Sequence, residues 1–522
     1  MPSTPSHAGE VVRILSEGVC TIPEALDFWR RTSPARVALR HGDVTLTFAE
    51  LAETVETAAA ALERCGIRQG HRVVLVGYNS IDWVVSYLGV LRAGGVIVPA
   101  NNRISAIQMR DQCELLDARF VLHDGDHLEL VGLTASPGRN LIDIATLVGL
   151  PPDRLSVDRA SWPSREHIAL VSFTSGTTGQ PKGAMLTHEA LLRGSAVFAE
   201  LLGTSADCST LILVPLFHNT GFVDQLGHML VAGGCTNLLA RYRTAAAVSE
   251  LRERPVTFIT AVPSILRLLM VSEESDHAFS NAQVVLFGGS PMPRSWTDEL
   301  LRRWPHLRLV HGYGLTEFTS ACSFLPSEMI AEKGESVGYP APGVELRVVN
   351  EQGDDCKPHE IGEVQVSGIT CMTGYWRQPH LTINKFSGRW LRTGDLGHLD
   401  DDGLLWLCGR VDDVINRGGE KVLPSFVESC IAQRPEISDV SVFGVDDPVL
   451  QKRVGAAVEL RPGATFSERE MRDALAELLA DYAIPEFWVI STSFPRTASG
   501  KVDRRAIAAD FSTAQSMSQE DT

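Results

Sequence analysis

Short, almost purely apolar runs alternate along the chain with stretches of helical periodicity, and this alternation is the feature that most restricts the fold. Residues 49–64 place apolar side chains on one helix face, and Gly66 follows as a helix stop. Next comes Val-Val-Leu-Val at residues 73–76, a near-continuous apolar run typical of a buried strand. A helix is predicted at 83–92 and a further strand at 96–98. Such alternation predicts an α/β architecture.

The same pattern recurs through the middle of the chain. Further buried strands are predicted at Leu211 to Val214, Phe258 to Val262, Val284 to Phe287 and Leu307 to Val310. Most of these runs are followed by glycine, proline or a polar turn. Turns at the carboxyl ends of strands are where α/β proteins place ligands. We therefore expect the functional residues in these turns.

Two changes of character along the chain predict its domain organisation. A chain of 522 residues exceeds what one hydrophobic core usually serves, so at least two domains are expected. Residues 340–407 alternate polar and apolar positions between Gly and Pro, which predicts a small antiparallel, barrel-like segment. After Asp412, a strand at 440–443 and a helix at 467–479 predict a small α+β unit. We expect an N-terminal domain at 1–411 and a C-terminal domain at 412–522.

Composition excludes several classes of protein. A hydrophobic fraction of 44% describes a globular chain, and no run of 18 or more uncharged apolar residues appears. Residues 1–10 are polar and do not resemble a signal peptide, so a cytoplasmic location without membrane partners is expected. The ten cysteines never form Cys-x-x-Cys, which argues against a zinc site or a disulfide framework. The net charge of −17 argues against nucleic-acid binding.

Residues 174–183, Thr-Ser-Gly-Thr-Thr-Gly-Gln-Pro-Lys-Gly, predict a polyphosphate-binding loop behind the apolar run 168–173. Its glycines let successive N–H groups turn towards an anion, its hydroxyls donate hydrogen bonds, and Lys182 adds a mobile charge. The Walker pattern is not met, because Lys182 is followed by Gly183 rather than by a hydroxyl residue. P-loop kinases and GTPases are therefore disfavoured. The competing interpretation is a flexible surface turn.

Three further segments carry residue types that suit a nucleotide site. In His311 to Glu317, two glycines allow close approach of the backbone to a planar ring, and Glu317 offers a hard oxygen to Mg²⁺. Asp395 follows a tight turn and suits the two ribose hydroxyls, with Arg410 available to brace the sugar or a phosphate. Lys501 stands on a Gly-containing loop. Taken singly, each could be a surface turn, a cap or a solvated charge.

The order and detail of these motifs carry a resemblance. Thr174 to Gly183, His311 to Glu317, Leu391 to Asp395, Gly409 to Pro424 and Pro495 to Lys501 resemble, in the same order, the core motifs of one superfamily. This is the adenylate-forming superfamily of acyl-CoA synthetases, nonribosomal adenylation domains and beetle luciferases. The resemblance covers roughly residues 20 to 505, and its first and last motifs are the most specific.

The resemblance implies an α/β fold in which a large N-terminal domain of two sheet-containing subdomains and a small barrel precedes a mobile C-terminal lid. It also implies two half-reactions. A carboxylate attacks the α-phosphate of ATP, which gives acyl-AMP and pyrophosphate, and a thiol then displaces AMP. The cofactors implied are ATP, Mg²⁺ and coenzyme A.

The resemblance also assigns roles by position. The catalytic residues implied are Lys501, Glu317, Thr316 and His218, with Glu317 as the metal ligand. The nucleotide-binding residues implied are Thr174, Ser175, Gly176, Thr177, Thr178, Gly179, Lys182, Gly288, Gly289, Ser290, Gly312, Tyr313, Gly314, Thr316, Asp395 and Arg410. Lys501 would bridge the substrate carboxylate and the α-phosphate, where charge builds in the transition state. Asp412 is the implied hinge, and Gly418 and Gly419 would let a pantetheine arm pass.

The acid pocket is predicted from the segment Pro215 to Gly221. Amino-acid-activating relatives carry Asp where this chain has His218, so His218 argues against an amino acid substrate, although a plain helix-start histidine is the competing interpretation. The pocket residues predicted are His218, Asn219, Gly221, Val223, Leu226, Val262, Ser290, Met292 and Leu315. Their apolar members favour a hydrophobic or aryl acid, and core packing explains each of them equally well.

Departures from the family pattern fall in the predicted lid, at Gln451-Lys452, at Pro424 to Glu428 and at Tyr482 to Pro485. They bear on lid docking and on the contacts with CoA. Three functions remain: an acyl- or aryl-CoA ligase, an adenylating enzyme that loads the thiol of a separate carrier protein, and a non-catalytic nucleotide-binding relative. The last is disfavoured because Glu317, Asp395 and Lys501 are all retained. A ligase that runs only one half-reaction is a variant of the first.

Overall fold

The computed structural model describes residues 14–132, 134, 138–148, 163–174, 181–290, 292–495, 502–504 and 506–511. The α-helices within these ranges are α1 Ile22–Thr32, α2 Phe48–Arg64, α3 Ile81–Arg92, α4 Ala106–Leu116, α5 Leu128–Gly132, α6 His188–Leu202, α7 Asn219–Gly221, α8 His228–Ala232, α9 Thr244–Glu253, α10 Pro263–Met270, α11 Ser275–Phe279, α12 Arg294–Arg303, α13 Ile330–Lys333, α14 Pro379–Lys385, α15 Pro424–Ile431 and α16 Glu468–Ala476. A π-helical turn, Phe222–Gly227, joins α7 to α8.

The strands, in chain order, are β1 Val37–His41, β2 Val44–Thr47, β3 Arg72–Val76, β4 Val96–Pro99, β5 Phe120–His123, β6 Asn140–Asp143, β7 Ile168–Thr174, β8 Lys182–Thr187, β9 Ser209–Ile212, β10 Cys235–Leu238, β11 Phe258–Ala261, β12 Val284–Gly288, β13 Arg308–Leu315, β14 Ser320–Leu325, β15 Tyr339–Pro340, β16 Val344–Val349, β17 Gly362–Gly368, β18 Gly374–Tyr375, β19 Phe386–Ser387, β20 Trp390–Leu399, β21 Leu405–Arg410, β22 Ile415–Arg417, β23 Glu420–Val422, β24 Ile437–Asp447, β25 Gln451–Leu460 and β26 Phe487–Ser491.

The chain divides into two compact units. The first comprises Met1–Leu346 and Val366–Leu391, and the second comprises Arg347–Gln365 and Arg392–Thr522. The predicted hinge, Asp412, therefore falls inside the second unit. The hinge at Asp412 and the domain bounds 1–411 and 412–522 stay predictions.

Two sheets organise the first unit. One has nine strands in the order β15-β14-β13-β12-β11-β9-β10-β1-β2, and the other has seven in the order β18-β8-β7-β4-β3-β5-β6. Within them, β9 to β13 and β3 to β7 pair in parallel, whereas β14, β8 and β18 pair antiparallel with their neighbours. Helices between parallel strands bury their apolar faces against the sheets. This confirms the predicted α/β fold class.

Local sequence explains how the helices of the first unit begin and pack. Thr47 caps α2 through its hydroxyl, and the side chain of Glu50 accepts from the Thr47 backbone in return, which forms a capping box. In α3, Gly89 allows close packing against α2, because a Cβ there would lie 3.3 Å from the Cβ of Ala58. The α2 and α3 faces join one hydrophobic core with the sheets.

The second unit contains the predicted α+β unit. Its sheet has the order β23-β22-β25-β24, with β26 parallel to β25. Apolar residues of α15 and α16, including Val427, Ile431 and Met471, pack with those of the strands in a separate core. Strands β16, β17, β20 and β21 occupy the region predicted to be barrel-like, and closure of a barrel stays a prediction.

One predicted element differs in extent. The strand expected at 307–310 begins at Arg308 and continues to Leu315, so that His311, Gly312 and Gly314 lie within β13 rather than in a turn. The extension arises because β14 pairs antiparallel with this part of β13. Among the described residues, no helix is long and apolar enough to cross a lipid bilayer.

Candidate functional site

The two ends of the predicted phosphate loop are adjacent partners in the seven-stranded sheet. Thr174 ends β7, Lys182 begins β8, and these two residues pair across the antiparallel strands. A Cβ on Gly183 would lie 2.6 Å from the Val171 side chain, so packing alone requires glycine there. The loop thus joins two strands, whereas a Walker loop joins a strand to a helix. Ser175, Gly176, Thr177, Thr178 and Gly179 lie outside the described residues.

The carboxylate predicted to hold Mg²⁺ lies on a tight turn after β13. Glu317 is half-buried in a 3₁₀ turn that begins with Thr316. Its Oε1 accepts a hydrogen bond from the Tyr375 hydroxyl at 2.8 Å. Among the described residues, none donates a hydrogen bond to its Oε2. One carboxylate oxygen is thus fixed by a neutral donor, and the other suits a hard cation.

The backbone that follows Glu317 is strained. Thr319 and Ser320 both have left-handed backbone angles, with φ of 55° and 97°. A Cβ on Gly314 would lie 1.5 Å from the Ser320 carbonyl oxygen, so this glycine makes room for the turn. Consecutive non-glycine residues at positive φ persist only where the surroundings over-determine them, and such strain clusters at functional sites.

The glycines predicted to approach adenine have packing roles in the nine-stranded sheet. Gly288 of β12 pairs with Gly312 of β13, and a Cβ on Gly288 would lie 2.2 Å from the Gly312 carbonyl oxygen. Gly289 has φ of 80°, a left-handed conformation that favours glycine. Ser290 follows Gly289, Tyr313 follows Gly312, and both residues are half-buried. Contact of these residues with a nucleotide stays a prediction.

The predicted acid pocket is built on a distorted helix. His218 precedes α7 without a capping hydrogen bond from its side chain, and its ring packs on Phe217 at 4.4 Å between centroids. A Cβ on Gly221 would lie 2.7 Å from the Pro215 carbonyl oxygen, which explains this glycine by packing. Asn219 Oδ1 accepts from Ser172 at 3.4 Å. Packing thus fixes the backbone of this segment, and the polar side chains of Asn219 and Ser172 lie beside it.

The remaining predicted pocket residues differ in burial. Val223 and Leu226 are each 1% exposed and belong to the main hydrophobic core, and Met292 is 5% exposed. Val262 and Leu315 are half-buried. Core packing therefore accounts fully for Val223 and Leu226, and their contact with an acid stays a prediction.

A buried carboxyl that the sequence did not single out lies in the π-helical turn. Asp224 is 7% exposed, its Oδ1 has no hydrogen-bond partner among the described residues, and the hydroxyls of Ser320 and Thr220 lie close enough to lower its pKa. Burial raises the pKa of this carboxyl to about 7, and the two hydroxyls oppose the shift. A π-helical turn often marks a functional site. Asp224 thereby links the helix after His218 to the strained turn after Glu317.

In the second unit, Asp395 and Arg410 form an ion pair. Arg410 Nη1 donates to Asp395 Oδ1 at 2.8 Å, and the side chains are 43% and 13% exposed, Arg410 being the more open. The Asp395 backbone N–H donates to the Thr393 hydroxyl at 3.0 Å. The carboxylate therefore has a defined orientation beside a guanidinium group.

The residues predicted for thiol transfer lie further along the second unit. Asp412 lies in a 3₁₀ turn, Val411–Asp413, between strands β21 and β22. Gly418 and Gly419, with φ of 62° and 101°, form the two-residue turn between β22 and β23, a hairpin that by itself demands glycine. A Cβ on Gly419 would meet nothing within 4 Å. Lys501 lies outside the described residues.

Metal-ligand clusters and disulfides are both absent from the described part of the chain. No group of three or more His, Cys, Asp or Glu side chains there is arranged to hold a metal ion. All ten cysteines lie in it and are free thiols. A Mg²⁺ that keeps its waters and binds phosphates needs only one or two protein carboxylates, so Glu317 alone is compatible with it.

Comparison with known proteins identifies the family. The family model for AMP-binding enzymes matches residues 26–376, and the model for the AMP-binding enzyme C-terminal domain matches residues 427–501. Feruloyl-CoA synthase from Amycolatopsis sp is 30% identical over 90% of this chain and 95% of its own. 2-Succinylbenzoate–CoA ligase from Geobacillus kaustophilus is 30% identical over 93% and 97%. Among solved structures, o-succinylbenzoate CoA synthetase from Bacillus subtilis, bound to its acyl-adenylate intermediate, has a TM-score of 0.83 at 29% identity and covers 93% of this chain and 98% of that one. The chain therefore belongs to the AMP-binding enzyme family and is an adenylate-forming acid–thiol ligase of the acyl-CoA ligase branch, which uses ATP, Mg²⁺ and coenzyme A.

Proposed function

We propose that this ligase activates a hydrophobic or aryl carboxylic acid as its acyl-AMP and transfers the acyl group to the thiol of CoA. The observation that carries the proposal is the segment after β9, where His218 rather than an aspartate precedes α7 and its side chain does not cap the helix. The chain therefore has no carboxylate at that position to pair with the α-ammonium group of an amino acid. The two curated relatives described above are named for feruloyl and 2-succinylbenzoate groups, which are both aryl acyl groups.

We assign the residues of the first half-reaction as follows. The loop from Thr174 to Lys182 holds the β- and γ-phosphates, and Thr316 contacts phosphate. Glu317 holds Mg²⁺, which supplies positive charge beside the phosphates when bound. Asp395 accepts from the ribose hydroxyls, and Arg410 braces that carboxylate. Support comes from the hydrogen bond that fixes Glu317 Oε1 and from the ion pair that orients Asp395.

Lys501 is assigned to the reacting centre. An ammonium group between the substrate carboxylate and the α-phosphate offsets the charge that builds on the phosphate oxygens as pyrophosphate leaves. In the second half-reaction, rotation near Asp412 replaces Lys501 by the β22–β23 hairpin. Gly418 and Gly419 then leave room for the pantetheine arm. The open space around a Cβ on Gly419 is compatible with that role.

The proposed acceptor is CoA rather than a carrier protein. The curated relatives that match more than nine-tenths of their own length are named as CoA ligases or a CoA synthase, which favours a free thiol cosubstrate. A carrier protein as acceptor is the alternative outcome of the test below.

A panel of aliphatic, aryl and amino acids tests the proposal. Each acid is incubated with Mg²⁺ and ATP, with or without CoA or a phosphopantetheinylated carrier protein, and acyl-AMP and thioester are quantified by mass spectrometry. We expect acyl-AMP from aryl or long apolar acids without CoA, and acyl-CoA only when CoA is present. Preference for an amino acid would contradict the assigned acid class, and thioester on the carrier alone would contradict the acceptor.

A further inference from the structure

The side chain and the backbone of Glu317 are both held by one distant segment. Tyr375, 58 residues later in the chain, donates its hydroxyl to Glu317 Oε1 at 2.8 Å. The backbone N–H of Met372 donates to the Glu317 carbonyl oxygen at 2.8 Å. Two contacts on opposite ends of the same residue fix its position and its rotamer together.

The tyrosine ring is itself immobilised. Tyr375 is 5% exposed and belongs to the main hydrophobic core of the first unit. Its backbone N–H donates to the Thr382 hydroxyl at 2.9 Å, which anchors it to α14. The phenol hydroxyl is therefore presented from a rigid support. A neutral hydroxyl orients the carboxylate without removing the negative charge that a cation needs.

The segment that holds Glu317 also holds the end of the phosphate loop. Strand β18 pairs antiparallel with β8, and Tyr375 stands opposite Ala184. The backbone N–H of Trp376 donates to the Gly183 carbonyl oxygen at 2.8 Å, and the Gln378 side chain donates to the Pro181 carbonyl oxygen at 3.2 Å. These two acceptors flank Lys182. Residues 372–378 are therefore bonded at one end to the turn of Glu317 and at the other to the exit of the phosphate loop.

We propose that Tyr375 is a positioning residue for Mg²⁺–ATP, which acts by orienting the Glu317 carboxylate relative to the phosphate loop. The inference rests on the proposed role of Glu317 as the metal ligand. Residues 372–378 set the spacing between the cation ligand and Lys182, so that both bind one triphosphate at once. Nothing else in the described residues joins Glu317 Oε1 to this strand.

Tyr375→Phe tests the inference, because it removes the hydroxyl and keeps the buried ring. Partners that orient metal ligands typically change metal affinity about 10- to 100-fold, so the Mg²⁺ concentration for half-maximal acyl-AMP formation is expected to rise about tenfold. The kcat at saturating Mg²⁺ is expected to change less than about threefold. Calorimetry should show that ATP binds the variant more weakly than wild type when Mg²⁺ is present. When a chelator removes Mg²⁺, ATP should bind both proteins equally.

Tyr339→Phe is the matched control, since this tyrosine of β15 is 38% exposed and belongs to the same unit. It should leave both Mg²⁺ dependence and ATP binding at wild-type values. An unchanged Mg²⁺ requirement for Tyr375→Phe, or equal weakening of ATP binding with and without Mg²⁺, would overturn the inference. The binding data decide it even if wild-type enzyme forms no adenylate from any acid tested, an outcome that would count against the proposed function alone. Equal unfolding temperatures of variant and wild type would show that the fold is intact.

Discussion

Arg410 reaches across the β20–β21 pair and donates from Nη1 to Oδ1 of Asp395, at a nitrogen–oxygen distance of 2.8 Å. Gly394 makes this approach possible, because it has φ of 79° and a Cβ there would lie 3.1 Å from Arg410 Nη2. The guanidinium group thus sets the direction of the carboxylate that we assign to the ribose. A surface ion pair of this kind contributes little to stability, so its value lies in orientation.

Asp395→Asn should weaken nucleotide binding without unfolding the second unit. Hydrogen bonds to charged groups contribute about 1.5–3 kcal/mol, so the KM for ATP is expected to rise roughly 10- to 100-fold. Steady-state acyl-AMP formation and calorimetric titration with ATP measure the change. Asp401→Asn removes an exposed carboxylate on the β20–β21 connection and should have no effect. An unchanged KM for ATP in Asp395→Asn would remove this residue from the ribose site.

Local sequence was sufficient to predict the α/β fold class and several of its buried strands. The buried strands and the ends of the phosphate loop follow from apolar periodicity and glycine spacing, which are properties of neighbouring residues. Glu317 follows from its motif. The contact with Tyr375 does not, because the two residues are 58 positions apart and no local pattern relates them. Long-range pairing depends on the sheet order, which periodicity alone does not determine.

Two other features of the candidate site also escape local reasoning. Thr319 and Ser320 have positive φ although neither is glycine, so nothing in their identity indicates the strained turn. Asp224 lies in a helix and would be expected on its polar face, yet the π-helical turn places it in the interior. In both cases tertiary packing decides the conformation against the intrinsic preference of the residue.

Lys501→Ala should separate the two half-reactions. Loss of one electrostatic contact to a developing charge typically lowers kcat about 100-fold or more, and this loss is expected for acyl-AMP formation. Transfer of supplied acyl-AMP to CoA should fall far less, because the proposed rotation near Asp412 has replaced Lys501 by the β22–β23 hairpin in that step. Lys357→Ala, which removes an exposed lysine of the second unit, is the control. Equal losses in both half-reactions would contradict the role assigned to Lys501.

Gly419→Trp should block thioester formation and spare adenylation, because an indole in the β22–β23 turn would occupy the proposed pantetheine path. Gly463→Trp is the control for backbone strain, because Gly463 also has positive φ and open space around its Cβ. Rates of acyl-AMP formation and of CoA consumption are measured for both variants. Unimpaired CoA turnover in Gly419→Trp, or equal impairment in both variants, would place the arm elsewhere.

The buried carboxyl of Asp224 should make stability depend on pH in the direction set by its raised pKa. Burial raises this pKa from 3.8 to about 7, so the folded state favours the protonated form. The contribution of this group to the free energy of unfolding is therefore highest below the unfolded pKa, and it falls as the pH rises towards about 7. Asp224→Asn removes the titration. Between about pH 5 and about pH 8, urea denaturation should show the variant gaining at least about 1 kcal/mol relative to wild type, since one pKa unit corresponds to about 1.4 kcal/mol. Asp126→Asn, an exposed aspartate of the same unit, should show no such gain. Parallel pH profiles for Asp224→Asn and wild type would mean that the carboxylate is ionised in the folded protein and that the two nearby hydroxyls offset the desolvation.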